Sequence, residues 1–129
     1  MPINPHPRVL CVDDDDDSRE MLSSLLRSSQ IEAEAVATAA QALSLIQTER
    51  FDLYLLDAWL SDLDGFELCR RMRNSDPHTP ILFFSGAAYP ADKQRGMAAG
   101  ANAYLVKPDI EDLIGSITHF VSHPESAAA

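Results

Sequence analysis

Short apolar runs alternate with amphipathic stretches along this chain. The run "RVLCVDD", from Arg8, is continuously apolar until it ends in acids, which predicts a buried strand. The segment from Ser18 places Met21, Leu22, Leu25 and Leu26 on one helical face, with Asp17 or Ser18 as its N-cap. "IEAEAV" alternates apolar and polar residues, as a strand near a sheet edge does. Thr38 and Gln41 have capping-box spacing ahead of a helix carrying Ala42, Leu43, Leu45 and Ile46.

The second half repeats the theme. "DLYLLD" is another buried strand that ends in an acid, and "SDLDG" is a loop. Asp64 and Glu67 form a cap-like pair before Phe66, Leu68, Cys69 and Met72, while Asp62 and Asp64 otherwise read as loop and capping residues. "PHTP" breaks the chain before the strand "ILFFSG". "YPADKQRGMAAG" predicts a weak helix with Gly96 inside and Gly100 as its stop. "NAYLV" is a fifth strand, and Ile110, Leu113, Ile114, Ile117 and Val121 then recur at helical spacing.

Strand and helix thus alternate five times. Continuously apolar strands require a sheet covered on both faces, and the alternation requires parallel strands with right-handed crossovers. The expected fold class is a single-domain α/β doubly wound sheet. Residues 1–7 read as an N-terminal extension, 8–122 as the domain and 123–129, with "PESAAA", as a frayed tail.

Charge and composition narrow the partners. A formal charge of −10 over 129 residues argues against nucleic acid or an anionic membrane and suits cations or a basic protein surface. No apolar stretch approaches the roughly 20 residues that span a bilayer, and "MPINPHPR" lacks the apolar core of a signal peptide. Cys11 and Cys69 make no disulfide framework and read as reduced thiols, so a cytoplasmic location is expected.

In an open parallel sheet, ligands bind beyond the carboxyl ends of the strands. There the chain places Asp13 and Asp14 after the first strand, Asp57 after the third, Ser85 after the fourth and Lys107 after the fifth. Three close carboxylates need a counter-charge, and a hard cation such as Mg²⁺, held by few carboxylates and several waters, supplies it. A carboxylate beside such an ion can take a phosphoryl group as an aspartyl phosphate, with Ser85 and Lys107 donating to its oxygens.

The stretches "VLCVDDD", "FDLYLLDAWLSDLDGFEL", "PILFFSG" and "GANAYLVKP", in this order and spacing, resemble the response-regulator receiver domain of two-component signalling over nearly the whole chain. The resemblance implies a flavodoxin-like sheet in order 2-1-3-4-5, with Asp57 as phosphoacceptor. It implies Asp14 as a direct metal ligand, Asp13 acting partly through water, and the Trp59 backbone carbonyl completing the protein's share of the shell. Ser85 and Lys107 contact the phosphoryl group, Tyr104 is the aromatic coupled to Ser85, and the Lys107–Pro108 bond is often cis. The implied partners are a histidine kinase or histidine phosphotransfer protein and a downstream protein at the face of helix 4, strand 5 and helix 5. Such a domain is not an enzyme beyond assisting its own phosphorylation and dephosphorylation.

Departures from the family pattern carry expectations of their own. Ser61 stands where many members have Pro, and Gly86 where Ala is usual, so both loops are expected to be looser. Competing readings are a pseudo-receiver that keeps the fold without the chemistry, and a receiver excised from a hybrid kinase. A phosphohydrolase would place an acid at Trp59, and a flavodoxin would need a hydroxyl- and glycine-rich loop after the first strand. Asp15, Asp16 and Asp17 read as acids favoured by a helix N-terminus. His119 and His123 have metal-binding spacing but no evident third ligand.

Overall fold

The alternation in the sequence becomes β1 (Arg8–Val12), α1 (Asp16–Ser28), β2 (Glu32–Val36), α2 (Ala39–Thr48), β3 (Leu53–Leu56), α3 (Gly65–Ser75), β4 (Ile81–Ser85), α4 (Pro90–Ala99), β5 (Ala103–Val106) and α5 (Ile110–Ser122). The computed structural model describes residues 6–87 and 89–123, so most of the expected tail and of the N-terminal extension lies outside the described residues. The strands form one parallel sheet in the order β2-β1-β3-β4-β5. Among the described residues, no helix is long and apolar enough to cross a membrane.

Strand alternation explains why the runs had to be apolar throughout. Leu10, Val12, Tyr54, Leu56, Ile81 and Phe83 face one layer, built on α2, α3 and α4. Val9, Cys11, Leu53, Leu55, Leu82 and Phe84 face the other, with Leu22 and Leu26 of α1 and Leu113 and Ile117 of α5. Successive side chains point to opposite faces, and both faces are covered. Phe66, Phe83 and Phe84 are the largest fully buried side chains, each contributing about 1.5–3 kcal/mol by leaving water. β2 lies at the edge, where exposed Glu32 and Glu34 discourage pairing with another chain.

Two capping details differ from the sequence reading. α1 begins earlier than expected: its N-cap is Asp15, whose Oδ2 accepts the Ser18 N–H at 2.8 Å. Asp16 and Asp17 therefore fill the first turn, where unpaired amides favour negative charge. At α3, Asp64 does cap, accepting from the Glu67 N–H at 2.8 Å. The Glu67 carboxylate does not reach back; it pairs instead with Arg70 (3.0 Å) and Arg71 (3.2 Å) one turn on. The Thr38–Gln41 capping box forms as expected. On α1, Met21 is 40% exposed, so the buried stripe is narrower than its apolar face.

Both cysteines are free and buried. Burial, reinforced by the Asp13 charge, pushes the Cys11 thiol up to about 12, and burial pushes Cys69 to about 11. Reaction requires the thiolate. Native protein at mildly alkaline pH is therefore expected to leave Ellman's reagent unreacted, and denaturant should release both thiols. Rapid modification of the native protein would contradict this burial.

Candidate functional site

The parallel register brings the ends of β1, β3, β4 and β5 to one edge. There the Asp13 N–H donates to Val36 O at 3.1 Å and the Asp57 N–H to Val12 O at 3.0 Å. Both acids are thus fixed at the point where the ladder stops. Carboxylate oxygens of Asp13, Asp14 and Asp57 all lie within 4.8 Å of one another. Asp13 is buried and Asp14 exposed, so the cluster opens to solvent on one side.

Positive charge and helix amides offset this crowding. Lys107 Nζ donates to Asp13 Oδ2 at 2.8 Å and to Asp57 Oδ2 at 3.4 Å. Burial by itself would lower the Lys107 ammonium, but the hydrogen bond to Asp13 and the charges of Asp57 and Asp13 outweigh it and hold the group above the ordinary lysine range. Asp13 Oδ1 also accepts the Asp15 N–H at 3.0 Å. Arg19, which the sequence reading passed over, donates from Nη1 to the Asp13 carbonyl at 2.9 Å and pairs with Asp16. Its signal was its position on the first turns of a helix that starts at the acids.

Ser85 is fully buried, and its Oγ accepts the Ala87 N–H at 3.2 Å. The Lys107 N–H donates to the Ser85 carbonyl at 3.0 Å, which ties the two strand ends together. Tyr104 is half-buried; its ring stacks on Phe83 with centroids 5.3 Å apart, and its hydroxyl donates to the Ala87 carbonyl at 2.7 Å. Burial pushes its phenol upward despite an opposing hydrogen bond with Ser85. Gly96 makes this position possible: a Cβ there would stand 2.8 Å from the Tyr104 ring. The peptide bond between Lys107 and Pro108 is cis.

Trp59 and Gly86 are both exposed. Trp59 is 52% exposed and meets Phe66 edge-on, with centroids 5.8 Å apart. Arg95 of α4 covers the same Phe66 ring at 4.2 Å. Gly86 is exposed and a Cβ would meet nothing within 4 Å, so its place does not require glycine. His119 on α5 and His123 at its C-cap stack with centroids 4.8 Å apart, and among the described residues no third metal-ligating side chain joins them.

The donor set suits a hard divalent cation. It consists of carboxylate oxygens, partly open to water, with too few protein ligands to close a cage. A buried hydroxyl and a fixed ammonium stand beside it as donors for anionic oxygens.

Comparison with known proteins places this arrangement in context. Residues 9–118 match the sequence profile of the family described as "Response regulator receiver domain". The chain is 34% identical over 124 residues to "Response regulator MprA" of Mycobacterium bovis, covering 94% of this chain and 54% of that protein. It is 36% identical over 105 residues to "Gliding motility regulatory protein" of Myxococcus xanthus, covering 80% of this chain and 14% of that protein. The chain therefore spans only part of these relatives. Among solved structures, a CheY-like response regulator receiver domain protein from Methanospirillum hungatei superposes with a TM-score of 0.86 at 32% identity, covering 92% of this chain and 96% of that one. The chemotaxis response regulator CheY4 of Vibrio cholerae gives a TM-score of 0.82 at 34% identity, covering 88% and 98%.

Proposed function

Because this chain belongs to the response regulator receiver family of two-component signalling, we propose that Asp57 accepts a phosphoryl group from a phosphohistidine of a kinase or phosphotransfer protein. Response regulators receive signals from histidine kinases and act on downstream partners, and their receiver domains are generally not classical enzymes. The observation that carries the reading is the meeting of three carboxylates within 4.8 Å with the Lys107 ammonium against two of them.

An Asp57 oxygen attacks phosphorus in line; the new P–O bond forms as the P–N bond breaks, and the imidazole leaves with its electron pair. Asp13, Asp14, Asp57 and the Trp59 carbonyl would hold Mg²⁺, which when bound neutralises charge on the phosphoryl oxygens. Lys107 moves from its carboxylate partners to a phosphoryl oxygen, and the Ser85 hydroxyl donates to another. Gly86 adjoins Ser85 and adds no side chain next to it. Drawing Ser85 toward the phosphoryl group changes what the Tyr104 hydroxyl faces, and so biases the population of α4–β5–α5 conformations. α4 buries only Gly96 and Ala99, which suits a low-stability element, and Met97 on it and Tyr89 at its N-cap are exposed where a downstream protein would dock. A cytoplasmic setting follows from such a partner.

The test is the intact mass of the protein after incubation with acetyl phosphate and Mg²⁺. One added phosphoryl group, absent when the metal is chelated, supports the reading; an unchanged mass favours a pseudo-receiver.

Trp59 sets a further expectation. Its indole stands two residues beyond the acceptor and hinders water approaching the phosphoryl group. Trp59→Asn should shorten the phosphoryl lifetime by about tenfold, in line with about 1.4 kcal/mol of barrier. Timing phosphate release from both proteins checks this, and equal rates would remove the role from Trp59.

A further inference from the structure

The loop from Asp57 to Gly65 is pinned at its ends. The Asp57 N–H donates to Val12 O at 3.0 Å and the Gly65 N–H to Ala58 O at 2.8 Å. A Cβ at Gly65 would collide with the Asp57 carbonyl, so the closure is tight. The middle of the loop is held differently. Asp62 Oδ1 accepts the Ala39 N–H and Asp62 Oδ2 the Ala40 N–H, each at 3.0 Å.

Those two amides open α2 and have no partner within the helix. Yet α2 already has its own start signal: Thr38 Oγ1 accepts the Gln41 N–H at 3.1 Å, and Gln41 Oε1 accepts from Thr38 at 3.2 Å. Asp62 is therefore not needed to begin the helix. Its carboxylate uses both oxygens to tie a distant loop to it, through charge-assisted bonds at the positive end of the helix. The Ala39 amide, with Ala40 and loop amides, holds the Asp62 carboxyl below its ordinary range although burial opposes this. In the sequence Trp59 lies between the acceptor Asp57 and this tether, with its side chain half exposed.

We propose that Asp62 is a positioning residue for the metal and phosphoryl site. Its two bonds to α2 fix the loop segment that carries the Trp59 carbonyl, and so preset a backbone ligand. This rests on the metal reading given above. It also makes the coupling reciprocal: Mg²⁺ bound at the acids should slow hydrogen exchange at the Ala39 and Ala40 amides.

Calorimetric titration with Mg²⁺ alone tests it, with the fluorescence of Trp59, the single tryptophan, followed alongside. Asp62→Ala should weaken Mg²⁺ binding on the order of tenfold. Thr38→Ala removes the local cap from the same helical turn and should leave Mg²⁺ affinity unchanged, although both variants melt earlier. Asp62→Asn keeps one acceptor oxygen and should fall between Asp62→Ala and the parent, which preserves the test if the alanine variant does not fold. Parental affinity in Asp62→Ala, or an equal loss in Thr38→Ala, overturns the positioning role while leaving the metal site standing. If the parent protein shows no saturable Mg²⁺ binding, or Asp14→Asn leaves it intact, the metal reading fails and this inference with it.

Discussion

Asp57→Asn is expected to abolish phosphoryl uptake from acetyl phosphate and Mg²⁺ while leaving the fold intact. The amide oxygen is a poor nucleophile and cannot form a stable phosphoryl ester, so the rate should fall by about a thousandfold or more. Stability has opposing contributions. The variant loses the charge of its 3.4 Å ion pair with Lys107 but relieves repulsion from Asp13 and Asp14. Lys107 keeps its shorter 2.8 Å partner, Asp13. The net change should be no more than about 1 kcal/mol, measurable by denaturant melts. Because the native state raises the Lys107 ammonium, its contribution to stability is present below the ordinary lysine value and is lost only as pH rises through the raised one. Assays around neutral pH therefore all have a charged Lys107. Phosphoryl gain by Asp57→Asn at the parental rate would move the acceptor to another carboxylate and end the assignment.

Arg73→Ala is expected to cause the largest loss of stability of any change to a side chain outside the core. Its guanidinium donates from Nε and Nη2 to the Gly100 carbonyl at 3.0 and 2.9 Å. Nη1 reaches Thr79 O at 2.8 Å and Asp76 O at 3.2 Å, and Nη2 reaches Asn102 Oδ1 at 2.8 Å. One side chain thus joins the end of α3, the lead into β4 and the turn between α4 and β5. Gly100 packs against it: φ there is 116°, and a Cβ would stand 2.9 Å from Arg73 Cγ. Removal leaves these acceptors to whatever water can enter a half-buried site, a cost of about 2–3 kcal/mol. For a domain of this size the melting temperature should drop by roughly 10 °C. Arg73→Lys should recover little, since an ammonium cannot reproduce the planar fork. A melting curve matching the parent would show that water replaces the fork without loss. Because Gly100 ends α4, the same variant should also loosen the element proposed to respond to phosphorylation.

Much of this was legible without coordinates, and the reason is local. Strand runs such as "DLYLLD" and "ILFFSG" state their double burial by having no polar alternation, and the five-fold order of elements then restricts the connections. Thr38 and Gln41 cap their own helix, and Gly100 ends its own, so both could be read from spacing. The acids, Ser85 and Lys107 could be assembled because a parallel sheet sends every strand end to one edge.

What only the tertiary structure decided involves side chains whose partners are far away in the chain. Asp62 looked like a loop residue, but it caps a helix 22 positions earlier. Arg73 looked like one charge among several on α3, and its fork closes on Gly100 and Asn102, 27 and 29 positions later. The N-cap of α1 settled on Asp15 because Asp13, fixed by β2 and Lys107, takes the Asp15 amide and sets where the helix begins. Hydrophobic period, and caps such as Thr38–Gln41 and Gly100, depend on neighbours within a turn or a strand, so they are written locally. Bonds that span elements depend on how the sheet and helices pack, and no spacing along the chain encodes that.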